Sequence, residues 1–255
     1  MQRQMSMEFR LLLILTATIA PAVSVVRMDP QTRFHDYCNS LTCWWGAIRH
    51  LPVDIVWVEN SGYPTADITG LIGSLGANDR IVVLQVATDA ELVKKNGKGA
   101  GEALMLDSVA RLFPLEGYSH IGKCTGRLWM RNASRLIAEY ADSNTDVWFA
   151  IRSDFHFVDT RFFLCSRRFF VSHFLGMASE TNDDAGLYVE HIAAKRILSA
   201  IAQGENFGFF PDLPRYQGTG ATDGKRHDGV MGAVRYFVKN SLHQFARQFA
   251  KWIYL

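Results

Sequence analysis

Lys123-Cys124-Thr125-Gly126-Arg127 sets two cations and a hydroxyl around a glycine turn at the end of an apolar run. Lysine supplies a point charge and arginine grips two oxygens at once, so the group suits a phosphate or leaving-group clamp. A surface hairpin turn is the plain alternative. Three other polar groups follow the same logic. Glu59-Asn60-Ser61-Gly62-Tyr63 closes the β-branched run Val53 to Val58. An open α/β sheet reads a base or ribose at such a strand end, although an ordinary Asn/Ser/Gly turn has the same composition. Arg33-Phe34-His35-Asp36-Tyr37 lies near a helix start, where a diphosphate is favoured, or where Asp36 simply offsets the helix dipole. In Asn96-Gly97-Lys98-Gly99-Ala100-Gly101-Glu102 the glycines let backbone N–H groups approach a ligand and Lys98 adds charge. This spacing is neither a Walker loop nor a dinucleotide fingerprint, and a turn with a helix cap fits it too.

Groups able to move a proton come later in the chain. Asp154 and Asp159-Thr160-Arg161 lie near the ends of apolar segments, and Tyr188-Val189-Glu190-His191 opens a helix. Asp154, Asp159 or Glu190 could activate a hydroxyl, and the two aspartates could also ligate a metal. Each reads equally well as a cap or an ion-pair partner. Cys38, Cys43, Cys124 and Cys165 have no Cys-x-x-Cys or Cys/His spacing, so they are expected to be reduced and mostly buried.

The elements that must position these groups alternate strand and helix, which predicts an α/β fold with a largely parallel sheet. Strands are expected at 9–19, 53–58, 80–86, from 120, at 147–151, 157–163 and 168–174. Helices are expected at 30–50, 101–113, 132–140, 188–202 and 234–253, with 68–75 helical or irregular, a glycine loop at 97–99, and a loop-rich stretch at 204–232. With 255 residues, 48% of them hydrophobic, the chain suits one large domain or two small ones. A net charge of +2 without a Lys/Arg run or zinc-finger spacing argues against a nucleic-acid partner. Arg3 and Arg10 before Leu11 to Ala20, with Ala20-Pro21-Ala22 following, resemble a signal peptide. The preferred reading is a first core strand, and the run is too short for a confident membrane span. In the C-terminal helix Arg235, Lys239, His243, Arg247 and Lys251 recur every four residues, among Phe237, Phe245, Phe249, Trp252 and Tyr254. Such a helix either lies in a membrane interface or packs its Phe face on the core with the cations outside.

In this order, Arg33 with Asp36-Tyr37, Glu59 to Tyr63, Gly97 to Glu102, Lys123 to Arg127, Asp159 to Arg161 and Tyr188 to His191 resemble bacterial glycosyltransferase-like proteins of capsule and lipopolysaccharide O-antigen loci. The resemblance spans residues 9–195 and implies a single GT-A-like domain. Its Rossmann-like half (8–130) would bind a nucleotide-sugar donor, residues 131–232 would form the acceptor and catalytic half, and 233–255 the C-terminal helix. It further implies that Glu59, Asn60, Ser61 and Gly62 read the nucleotide, and that Arg33, Asp36, Lys98, Gly99, Glu102, Lys123, Thr125, Gly126 and Arg127 surround the donor. Lys98, Lys123 and Arg127 would face its diphosphate, with the base drawn from Asp159, Asp154 and Glu190. The acceptor would be a lipid-linked or oligosaccharide glycan, met in the cytoplasm with peripheral attachment at the inner membrane. The Asp-x-Asp that commonly holds a metal in this fold is missing, and Lys123 to Arg127 stands in its place. Fixed cations can stabilise a leaving diphosphate as a metal would, so no cofactor is expected, a divalent metal being the less favoured option. The rival reading is a non-catalytic nucleotide- or glycan-binding scaffold of a polysaccharide assembly complex.

Overall fold

The computed structural model describes residues 8–21, 29–220, 227 and 229–253, apart from the side chains of 230–231 and 248–253. Leu11–Ala17 (β1) and Val53–Glu59 (β2) are runs buried at every position. Runs apolar on both faces suit the middle of a parallel sheet, and these two pair in parallel from Leu11 opposite Val53 to Ala17 opposite Glu59. Ile81–Gln85 (β3) extends the sheet beyond β2, and His120–Thr125 (β4) pairs with the other side of β1, both in parallel. Helical crossovers join them: Pro30–Ile48 (α1), Ala66–Ser74 (α2), then Ala90–Asn96 (α3) with Lys98–Leu112 (α4). Leu128–Met130 (β5) follows β4. Val147–Phe149 (β6) and Phe162–Ser166 (β7) continue the sheet antiparallel, and Phe207–Phe209 (β8) pairs in parallel with β6. Among the described residues this makes a seven-stranded sheet of order β3-β2-β1-β4-β7-β6-β8, beside a two-stranded pair of β5 with Tyr216–Gly218 (β9). The fold is therefore the single, mostly parallel α/β domain that the alternation predicts.

The pleat divides the core in two. Leu11, Leu13 and Leu15 pack with Trp44 of α1, Ile72 of α2 and Leu136 of α5 (Ala133–Ala141). Leu12 and Ile14 face Leu106 and Val109 of α4 and Ile197 of α7 (Val189–Ala202). At the N-terminal edge of the sheet, Asp54 accepts hydrogen bonds from Arg10 (2.7 Å), Arg80 (3.1 Å) and Tyr118 (3.0 Å). Burial pushes its carboxyl up, but these bonds outweigh burial and hold it below the usual carboxylate range.

Several local expectations are corrected. Residues 168–174 are not a strand: Arg167–Phe169 (α6) runs into a wider helical turn at Phe170–Phe174, started by Ser166, whose Oγ accepts from the Phe169 N–H at 3.1 Å. Phe169, Phe170 and Phe174 all reach the core from that turn, and a run of aromatics reads alike in either conformation. The strand expected at 157–163 begins at Phe162; before it lies only a bridge between Ile151 and Val158. The glycine loop at 97–99 is a helix junction, with Gly97 alone at positive φ (89°). The short α3 is an element the sequence reading missed, although Asp89 caps it on the Leu92 N–H (2.9 Å). The short strands β5, β8 and β9 were also missed.

Val230–Ile253 (α8) is the expected C-terminal helix. It docks through polar groups. Asn240 donates to Asp212 and accepts from the Leu213 N–H, both at 2.7 Å; Gln244 also donates to Asp212, and His243 meets the Phe210 carbonyl at 2.6 Å. Phe237 and Phe245 are more than half exposed, and the Phe237 ring lies under the Arg215 guanidinium, 5.8 Å from its centroid. Tyr254, and the side chains of Phe249, Lys251 and Trp252, lie outside the described residues. No helix among the described residues is long and apolar enough to cross a membrane.

Candidate functional site

The chain leaves β1 towards β2 and returns on its other side with β4, so loops diverge above the carboxyl ends of these strands and open a crevice. A cavity of about 900 Å³ lies there, within the range of small-molecule sites. All four parallel strand ends contribute to its wall: Thr16 and Thr18 at the end of β1, Asn60 to Gly62 after β2, Gln85 to Thr88 at the end of β3, and Thr125 and Arg127 at the end of β4. The first turns of α4 and α7 add Lys98, Gly99 and Glu102, and Val189 and Glu190. Helix N-termini carry partial positive charge, which favours an anion.

Two arginines set the electrostatics. Arg33 and Arg127 are 3% and 5% exposed and flank the Tyr37 ring, with guanidinium carbons 5.9 and 5.7 Å from its centroid. Arg33 donates through Nε to the Thr18 carbonyl at 2.9 Å. Burial pushes the Arg33 guanidinium below its ordinary value, and the Arg127 charge pushes the same way. Arg127 has one long bond, Nη1 to the Thr219 carbonyl at 3.4 Å, and its buried Nε has no partner among the described residues. Buried guanidinium groups ordinarily find an acceptor, and this one is left short of acceptors on the cavity wall.

Other expected site residues stand behind the wall. Glu59 is fully buried and accepts from the backbone N–H groups of Ile19 (3.4 Å), Ser61 (2.9 Å) and Tyr63 (3.2 Å), and from the Ser61 hydroxyl. It shapes the turn that presents Asn60 and Ser61 and is not itself on the cavity wall. Lys123 is 1% exposed; its ammonium pairs with Glu102 and donates to the Thr160 carbonyl at 2.6 Å. A buried ammonium requires such partners, so Lys123 props Glu102 and does not line the main cavity. The same Glu102 oxygen accepts from Thr16 (3.2 Å) and Thr125 (3.3 Å), which fixes the carboxylate on the cavity floor. Gly126 packs where a Cβ would come 2.7 Å from the Thr16 carbonyl oxygen. Asp36, half-buried on α1, is not on the cavity wall.

Of the three candidate bases, only Glu190 lines the cavity. Burial pushes its carboxyl above the ordinary glutamate range, and the nearby Glu102 charge adds to that. Asp154 sits in an exposed turn, paired with Arg152 at 2.9 Å. Asp159 is gripped by Arg161 through both oxygens, at 2.8 and 2.6 Å. Among the described residues no three His, Cys, Asp or Glu side chains gather as metal ligands, and the cavity carboxylates are Glu102, Asp183 and Glu190.

Thr18, Gln85, Thr88, Asp183 and His227 also line the cavity and were not expected from the sequence. Gln85 and Thr88 obey the strand-end rule already applied to β2, so that signal was present. Asp183 had none: it arrives from a distant turn and approaches the Gly99 N–H at 3.5 Å, at the start of α4 where an anion was expected.

No protein-family model matches the chain, and no curated protein matches it in sequence. Solved structures do resemble it. A protein of Desulfovibrio desulfuricans G20, assigned as a nucleotide-diphospho-sugar transferase, aligns over 79% of each chain with a TM-score of 0.50 and 8% identity. The galactosyltransferase LgtC, solved with donor and acceptor sugar analogs, aligns over 78% of this chain and 72% of its own, with a TM-score of 0.50 and 9% identity. Likeness at such identity is likeness of fold: the chain has the GT-A-like, Rossmann-like α/β architecture found in nucleotide-sugar transferases.

Proposed function

We propose that this protein is a glycosyltransferase that moves a sugar from a nucleotide-sugar donor to a glycan acceptor, with no metal in the donor site. The observation that carries this reading is the buried Arg127 guanidinium, unsatisfied at Nε and set beside Arg33 in a cavity at the strand ends. A diphosphate placed there would satisfy Arg127 and relieve the repulsion between the two cations. When the bond from anomeric carbon to diphosphate breaks, the leaving group gains negative charge, which fixed guanidinium groups and the α7 N-terminus stabilise without reorganising. Asn60 and Ser61 face the nucleotide, and Glu102 offers an acceptor to sugar hydroxyls. In an inverting transfer Glu190 takes the proton of the attacking acceptor hydroxyl.

The finer reading places this reaction in surface-polysaccharide synthesis, as in capsule or O-antigen assembly, with a lipid-linked acceptor on the cytoplasmic side of the inner membrane. The order of the sequence motifs and the composition of α8 support it.

Thermal stabilisation across a panel of nucleotide sugars and free nucleotides, with and without EDTA, tests the proposal. A selective rise in Tm that survives EDTA is expected, because a ligand that binds only the folded state stabilises it. Arg127→Met should weaken that donor about ten- to a hundredfold, since a charge-assisted hydrogen bond contributes about 1.5–3 kcal/mol. Absence of stabilisation by every donor, or an unchanged affinity in Arg127→Met, would overturn it. Donor binding without product on any glycan acceptor would favour the scaffold instead.

A further inference from the structure

We propose that the carboxylates of Asp183 and Glu102 make the sugar end of the cavity selective for an uncharged sugar and closed to one that carries a carboxylate. The cavity is divided by charge. Arg33 belongs to α1, and Arg127 lies over Tyr37 of the same helix, on one face of the sheet. Asp183, Glu102 and Glu190 stand at the starts of α4 and α7, which cover the other face. The cations on that side do not cancel them. Lys123 is spent behind Glu102, and Lys98 acts on Glu190, where its charge opposes the rise of the carboxyl. Arg161, which also reaches the cavity, is held by both oxygens of Asp159.

Both carboxylates are fixed in place yet keep acceptors to spare. Every hydrogen bond to Glu102 among the described residues ends on Oε1, from Lys123, Thr16 and Thr125, which leaves Oε2 for the cavity. Asp183 rides on a turn closed by two backbone bonds between Asn182 and Leu187, at 2.8 and 2.9 Å. A Cβ on Gly97 would overlap its carboxylate, so only glycine there admits Asp183 to the start of α4. Among the described residues its one hydrogen bond is the Gly99 N–H at 3.5 Å, too long to saturate it. The start of α4 thus holds the chain's own anion, and a diphosphate is left to the arginines, where the Arg127 Nε lacks an acceptor. The sugar beyond that diphosphate then meets Asp183 and Glu102. An ionised carboxylate only accepts hydrogen bonds, and it takes a sugar hydroxyl as a charge-assisted one. A sugar carboxylate in the same place would bring like charge and no donor, which is discrimination by repulsion. The inference rests on the transferase reading and adds to it the class of sugar.

The test is titration calorimetry of the full chain with donors that differ only in a carboxylate in place of the hydroxymethyl group. The pairs are UDP-glucose with UDP-glucuronic acid, UDP-galactose with UDP-galacturonic acid, and GDP-mannose with GDP-mannuronic acid, beside UDP and GDP alone. In the pair that binds, the neutral member is expected to bind about tenfold tighter or more, as one like-charge contact requires. Asp183→Asn keeps the shape and removes the charge, so it should narrow that ratio about five- to tenfold by strengthening the acidic donor. Asp184 is exposed and off the cavity wall, so Asp184→Asn should leave the ratio as it is. Circular dichroism checks that both variants fold. Equal affinity within every pair, tighter binding of an acidic donor, an unchanged ratio in Asp183→Asn, or the same narrowing in Asp184→Asn would overturn the inference. Binding of UDP or GDP that Arg127→Met weakens, without discrimination between paired donors, would remove this inference and leave the transferase reading standing. No binding by any probe would remove both.

Discussion

Glu190 carries the sharpest residue-scale consequence. Burial raises its carboxyl pKa in the folded protein, so the folded state keeps that proton to higher pH than the unfolded chain does. The stabilisation this provides is complete below the unfolded pKa and is lost as pH rises through the folded one. Above that window Glu190→Gln, which removes a partly desolvated charge, is expected to raise Tm. If Glu190 is the base, the same change lowers kcat about a hundredfold to ten-thousandfold. It also removes an acid limb of the kcat/KM profile displaced upward from the ordinary glutamate range. A retained acid limb in Glu190→Gln would assign the base elsewhere. Lys123 and Arg127 make the contrast instructive. They are four residues apart and read alike in the sequence, yet one is saturated by Glu102 and Thr160 while the other is left short of acceptors.

Among the elements, the junction of β1 and β4 is where fold and site meet. The Gly126 N–H donates to the Thr16 carbonyl at 2.9 Å, and a Cβ on Gly126 would press on that same carbonyl oxygen. Gly126→Ala must therefore part the two strand ends that carry Thr16, Thr125 and Arg127. The expected cost is about 1–3 kcal/mol of stability in denaturant titration, as for other overpacked sites, together with weaker ligand binding. Unchanged stability would mean that the strand ends yield easily. The glycine-rich start of α4 serves packing in the same way. A Cβ on Gly99 would stand 3.2 Å from Val189, and one on Gly101 the same distance from Val93. These glycines let helices approach each other, and no ligand is needed to explain them.

For the whole molecule, burial sets a gradient of stability. β1, β2 and β4 form the shared wall of both core layers, whereas among the described residues α8 is held by polar contacts at Phe210, Asp212 and Leu213 and by Arg215 over Tyr236 and Phe237. Hydrogen exchange should thus protect the amides of β1 up to the free energy of global unfolding, while α8 exchanges through local opening. Equal protection in both would contradict this division.

That gradient also marks what was legible in advance. Runs such as Leu11 to Ala17 and Val53 to Val58 announce central parallel strands, because a segment apolar on both faces has few other places to go. The alternation of strand and helix then dictates an α/β sheet, and the strand-end rule locates the site at Asn60, Ser61, Thr125 and Arg127. Which charged groups face a ligand was not legible. Ion pairs and hydrogen bonds join partners far apart in the chain, such as Glu102 with Lys123, or Asp183 with the Gly99 N–H at the start of α4. The sequence by itself determined the parallel strands at the centre of the sheet, their core and the end at which they open a crevice. Only the tertiary structure decided which side chains are spent on holding the fold and which remain open to the cavity, because that depends on which distant groups the packing brings within a hydrogen bond.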